Sequence, residues 1–253
     1  MAKIIAFANQ KGGIGKTTSA VNVAAGLGLL GKRVLLADLD PQGNTTSAVG
    51  VNKRSIKASS YDVLIARTPC EQAIIDTGYK GLHILPANMN LAGAEFELVS
   101  ADNREARLRE ALARVSDRYD YVIVDCPPSL GILTINALAA ADGVIIPMQC
   151  EYFALEGLSQ LSMTIRQVKK LYNPTLDITG IIITMFNGRL NLSLSVLEEI
   201  KKYYRDRIFA TPVPRAVRLS EAPSYGKPIQ YYDKHSKGAD AYDDIARELI
   251  QRI

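Results

Sequence analysis

Short, continuously apolar runs alternate along the chain with longer stretches in which apolar residues recur every three or four positions. The runs at 4–8, 33–38, 82–86, 121–125, 143–147 and 178–184 are rich in β-branched residues and read as strands. Their apolar character is unbroken, not alternating, which predicts strands covered on both faces. Helical patterns fall between them: 17–30, which Gly31 stops, then 104–115, 133–140, 155–171, 194–204 and about 238–252. This alternation predicts an α/β chain: a single doubly wound, mostly parallel sheet flanked by helices. No repeat, low-complexity tract or linker breaks the series, so residues 1–253 are expected to form one domain.

Composition narrows the picture. With 47% hydrophobic residues the chain has ample material for a core, which excludes a disordered polypeptide. No stretch approaches the roughly 18–20 apolar residues that span a bilayer. The strand-like run from residue 3 leaves no room for a signal peptide. Three scattered cysteines, Cys70, Cys126 and Cys150, suit a reducing compartment, so a cytoplasmic location is expected. The net charge of +4 is unevenly placed: residues 163–237 carry 13 Lys/Arg against 6 Asp/Glu, a local +7. Such a region is either a solvated face or a surface for a polyanion, and a second feature must decide.

The first strand runs directly into Asn9-Gln10-Lys11-Gly12-Gly13-Ile14-Gly15-Lys16-Thr17-Thr18, and a helix pattern follows. Strand, glycine-rich loop, Lys-Thr and helix together describe a phosphate-binding loop. Glycines let backbone N–H groups approach phosphate oxygens, and the helix N-terminus adds its positive dipole end. Lys16 is placed to neutralise β/γ charge and the Thr17 hydroxyl to ligate Mg²⁺. Two later strands end in acids: Leu35-Leu36-Ala37-Asp38-Leu39-Asp40-Pro41-Gln42-Gly43-Asn44 and Tyr121-Val122-Ile123-Val124-Asp125-Cys126-Pro127-Pro128. Singly, each acid is either a loop cap or a functional group; together, after a phosphate loop, they point to organisation of Mg²⁺ and water.

Gln10 in place of the first loop glycine, followed by Lys11, resembles the deviant Walker A motif of the ParA/MinD family of P-loop ATPases. The resemblance implies that Lys11 reaches across a dimer to the nucleotide of the partner subunit. It makes Asp40 the residue that activates the attacking water, Asp38 part of the Mg²⁺/water network and Asp125 the Walker B aspartate. The blocks Leu91-Ala92-Gly93-Ala94-Glu95, Cys150-Glu151-Tyr152-Phe153-Ala154-Leu155-Glu156-Gly157 and Arg218-Leu219-Ser220-Glu221-Ala222-Pro223-Ser224 are similar to the chromosomal ParA (Soj) branch.

That branch implies an ATP sandwich homodimer that binds double-stranded DNA without sequence preference and is reset when a ParB-type protein stimulates slow ATP hydrolysis. The protein would then associate with the nucleoid. The same resemblance assigns Asn187 and Pro214 to the nucleotide, Glu151 to ribose across the dimer, and Arg189 and Arg218 to the DNA backbone. For Glu151 the residue-level alternative is a helix N-terminal acid. Ala216 stands where close relatives often carry Asn, which leaves the backbone as the adenine contact there.

Two other classes share the loop. A MinD-like membrane-recruited ATPase needs a basic amphipathic C-terminal helix, whereas residues 240–253 carry three aspartates and a glutamate. They read as a packed helix, and stable membrane insertion is not expected. Redox relatives need cysteines that share an iron–sulfur cluster, and Cys126 and Cys150 lack that placement.

Overall fold

Valine, isoleucine and leucine fill the predicted strand runs, and every run forms a strand within two residues of its expected bounds. The computed structural model describes residues 1–253. Its strands are β1 (Lys3–Phe7), β2 (Val34–Asp38), β3 (Ile75–Asp76), β4 (Leu82–Leu85), β5 (Tyr121–Asp125), β6 (Gly143–Gln149) and β7 (Asp177–Thr184). They form one seven-stranded sheet in the order β3-β4-β2-β5-β1-β6-β7. Every pair is parallel except β3 with β4. β3, a two-residue edge strand, has no counterpart in the hydrophobic pattern.

The helices that cover the faces are α1 (Lys16–Leu29), α2 (Asn44–Ala48), α3 (Ser60–Leu64), α4 (Cys70–Ala73), α5 (Leu91–Glu97) and α6 (Arg107–Ala113). They continue with α7 (Ile132–Ala140), α8 (Ala154–Leu171), α9 (Asn191–Tyr204), α10 (Val217–Glu221), α11 (Ile229–Tyr232) and α12 (Lys237–Arg252). The alternation of side chains along each buried strand divides the apolar runs between two cores. Leu35, Ala37, Val122 and Val124 face one, while Val34, Leu36, Tyr121 and Ile123 face the other.

α8 buries Leu158, Leu161, Ile165 and Val168, the three-and-four spacing of an amphipathic helix. α12 buries Tyr242, Ile245, Ala246 and Leu249 and lies against α1. The contact is close because Gly26 of α1 has no side chain: a Cβ there would sit 3.0 Å from the Ala246 Cβ. The apolar face of α12 is therefore occupied by α1, as its aspartates suggested. No helix is long and apolar enough to cross a membrane.

Register places the chemistry. β1 is flanked by β5 and β6, and pairing sets Phe7 beside Asp125. On the other side of β5, Asp38 stands at the same level, paired with Asp125. The C-terminal ends of β1, β2 and β5 thus bring the phosphate loop and both acidic segments to one edge, where parallel α/β sheets bind ligands.

Candidate nucleotide site and basic surface

The loop between β1 and α1 turns through Gly13 (φ 72°) and Gly15 (φ 82°), left-handed conformations that other residues adopt only with strain. It is anchored from below. Ile14 is buried, and its carbonyl accepts a hydrogen bond from the Thr184 hydroxyl at the end of β7 (2.7 Å). Lys16 and Thr17 then open α1, with Ser19 held by the Tyr242 hydroxyl (3.0 Å) of α12.

The two loop lysines separate. Lys16 is buried; its ammonium lies 3.5 Å from Asp125 Oδ1 and donates to the Cys126 carbonyl. Burial presses its pKa down, but the charges of Asp125 and, to a lesser extent, Asp40 outweigh burial and hold it above the ordinary lysine value. Lys11 is exposed on the rim, where it pairs with Glu151, itself exposed.

Asp125 is fully buried. Its Oδ2 accepts the hydroxyls of Thr17 (2.7 Å) and Thr45 (2.6 Å), while Oδ1 has no hydrogen bond. A buried acceptor without a donor, beside a threonine at the start of α1, suits a hydrated Mg²⁺ ion. Asp38 is equally buried but satisfied: Oδ1 takes the Asp40 N–H (3.1 Å) and Oδ2 takes the Thr46 N–H (2.8 Å) and hydroxyl (2.7 Å). Burial, reinforced by the Asp125 charge, pushes the Asp38 carboxyl up to about 7 against those hydrogen bonds. Asp40 is buried as well, with Oδ1 accepting the Gln42 N–H (2.9 Å).

Beside the loop lies a cavity of about 240 Å³ whose walls include Gly15, Thr18, Pro214, Ala216 and Leu219. A flat, partly apolar pocket next to a phosphate loop has the form of a base-binding site. Asn187 is not part of that wall. It lines a neighbouring, larger cavity together with Glu151 and Pro214. Gly12 is exposed, and Gly13 also lies at the surface.

The segments carrying the two singled-out arginines meet through the bridge of Phe186 with Pro214, where the Phe186 N–H donates to the Val213 carbonyl (2.9 Å). Arg189 is exposed; its N–H is tied to the Asn187 side chain (3.1 Å) and its guanidinium forms no ion pair. Arg218 is exposed as well but engaged: it pairs with Glu221 (3.0 Å) and Asp233 (3.6 Å) and stands over the Tyr232 ring. Arg215, between them in sequence, is exposed as well. Lys201, Lys202 and Arg207 also have acidic partners, Glu198, Glu199 and Asp177, but these acids are already counted in the local balance, so the excess of +7 stands.

Comparison with known proteins now decides the class. The AAA domain family matches residues 2–178. Sporulation initiation inhibitor protein Soj of Bacillus subtilis is 55% identical over 249 residues, covering 98% of both chains. The chain belongs to the Soj/ParA family of P-loop chromosome-partitioning ATPases. Chromosome partitioning protein ParA of Myxococcus xanthus is 51% identical over all of this chain and 89% of its own. A solved cobyrinic acid a,c-diamide synthase of Mycobacterium smegmatis, holding an ATP analog and magnesium, superposes with a TM-score of 0.87 at 39% identity. It covers 99% of this chain and 95% of its own.

Within this ParA-family frame the fold and the phosphate loop were readable in advance. Thr45, Thr46 and Thr184 were not singled out. The first two had a signal, since paired threonines directly follow the Asp38–Asn44 motif. Thr184 had none, because its role depends on β7 arriving beneath the loop. All three cysteines are buried, and burial pushes Cys126 up to about 12, which keeps it a protonated thiol.

Proposed function

We propose that this protein is a partition ATPase that acts as an ATP-timed switch. Two copies close over ATP and Mg²⁺, bind double-stranded DNA without sequence preference, and are released by hydrolysis that a ParB-type partner stimulates. The protein would work in the cytoplasm, on the nucleoid. The observation that carries this reading is the division between the two lysines. Lys16 is committed to its own site, whereas Lys11 sits on the rim with only the exposed Glu151 carboxylate to hold it. A cation so placed is free to exchange that carboxylate for a phosphate brought by a second copy, and Glu151 is then released toward ribose.

In the same reading Gly12, Gly13, Ile14, Gly15, Lys16, Thr17 and Thr18 cradle the phosphates, Pro214 borders the base, and Asn187 approaches the nucleotide from the adjoining cavity. Mg²⁺ would be held by Thr17 and Asp125, with Asp38 supporting them through Thr46 and the Asp40 N–H. The ion would supply charge neutralisation at the β- and γ-phosphates. Asp40 is placed to orient and deprotonate water. Arg189 and Arg218 neutralise DNA phosphates. The test is DNA binding measured with ATP, ADP and no nucleotide across a salt series. Binding only with ATP, weakening steeply with salt, is the expected result. Equal binding in all three nucleotide states would remove the switch.

A further inference from the structure

Thr45 opens the buried side of α2 and has no exposed surface. Its hydroxyl and that of Thr17 converge on the same oxygen, Asp125 Oδ2, at 2.6 and 2.7 Å. The two threonines arrive from different elements: Thr17 from the first turn of α1, Thr45 from the helix that directly follows the Asp40 segment. One carboxylate oxygen therefore ties the phosphate loop to the segment that carries Asp40. Two donors on one oxygen also fix the rotation of the carboxyl group, because turning it breaks both bonds. The consequence is visible on the other oxygen: Oδ1 is buried, lacks a hydrogen bond and has the Lys16 ammonium 3.5 Å away. The next residue repeats the device, with Thr46 donating to Asp38 while its oxygen accepts the Ala87 N–H (2.9 Å).

From this geometry we infer that Thr45 is a positioning residue for ATP hydrolysis: it aims Asp125 Oδ1 at the magnesium side of the site and sets the reach of Asp40. The inference rests on the reading of Asp125 as the magnesium-side carboxylate. Without the Thr45 hydroxyl, Thr17 alone would hold Asp125, and α2 would lose its link to β5.

The test compares the full chain with Thr45→Val, which keeps the shape and removes the hydroxyl, and Thr45→Ser, which keeps the hydroxyl. For Thr45→Val, kcat should fall on the order of tenfold with little change in KM for ATP, the effect of one hydrogen bond to a charged group. In parallel, the Mg²⁺ concentration that half-saturates binding of a fluorescent ADP analogue should rise several-fold. Thr45→Ser should restore both. Wild-type turnover and an unshifted magnesium curve in Thr45→Val would overturn the inference. So would Thr45→Ser being as impaired as Thr45→Val, since methyl packing would then be the cause. Thermal melting checks folding, and Thr45→Ala replaces the valine variant if that one does not fold. Asp125→Asn separates the two levels. If it keeps the wild-type magnesium dependence, the reading of Asp125 fails and the inference with it. If it loses that dependence while Thr45→Val does not shift the curve, the inference alone fails.

Discussion

At the strand tips Lys16 is 7% exposed and gripped by Asp125 and the Cys126 carbonyl, whereas Arg218 stands 58% exposed between Glu221, Asp233 and the Tyr232 ring. Both are cations that the sequence marks out, yet they work under different physics. Around Lys16 the groups are buried and nearly every polar atom has an assigned partner, the exception being Asp125 Oδ1, so removing one group strands another. On the surface, solvent and salt screen every pair, and contributions are small, similar and nearly additive. A buried site is thus specified by geometry, and a surface site by the number of charges it gathers. This is why the first carries a recognisable motif and the second only a local excess.

The comparison can be attacked at both ends. Lys16→Ala should abolish nucleotide binding and also cost the nucleotide-free protein about 3 kcal/mol, because it leaves Asp125 buried without its cation. Lys11→Ala should leave stability nearly unchanged while blocking ATP-dependent dimerisation. Urea melts, nucleotide titration and light scattering read all three, and equal stability losses for the two lysines would erase the distinction. Asp40→Ala should retain ATP and lose roughly 100-fold or more in turnover, the scale of a missing general base. Normal hydrolysis by that variant would remove Asp40 from its role.

On the surface side, Arg189→Glu combined with Arg218→Glu should lose DNA while keeping ATP-dependent dimers. Neutral replacements at the same two positions remove four charges from a dimer and should reduce the salt slope of its binding by roughly 3.6. An unchanged slope would put the DNA face elsewhere. The smallest effect is expected for Glu221→Gln, which frees Arg218 from its nearest carboxylate. DNA affinity should rise by roughly two- to fivefold, within the range of an exposed pair, and the gain should vanish when Arg218 is also removed.

Legibility followed the same division. The six main strands were readable because a buried parallel strand is apolar without interruption, as in β2 and β5. The long helices were readable from their stripes. α6 fell inside the predicted 104–115, but β3 and the short helices α2 to α5, α10 and α11 were missed, since one turn or two cannot complete a periodic pattern and tertiary contacts hold them in place. α3 did carry a local signal, the Ser59–Asp62 capping box, but no apolar period to draw attention to it. In the site, Lys16 and Asp125 were evident from their motifs. The Thr45 contact joins residues 80 positions apart, and the Lys11–Glu151 pair joins residues 140 apart. Neither separation leaves a trace in local pattern.

The clasp of α12 on α1 has a consequence for how a cell makes the protein. Ser19 meets the Tyr242 hydroxyl across 223 positions. At roughly 5–20 residues per second, the ribosome delivers that partner on the order of 10–45 s after the phosphate loop. β1 also waits for β5 before it has a neighbour on that side. A nascent or C-terminally nicked chain therefore lacks the Tyr242 contact that holds the first turns of α1. The helix that opens the nucleotide site gains its packing partner only when residues 237–252 have been made.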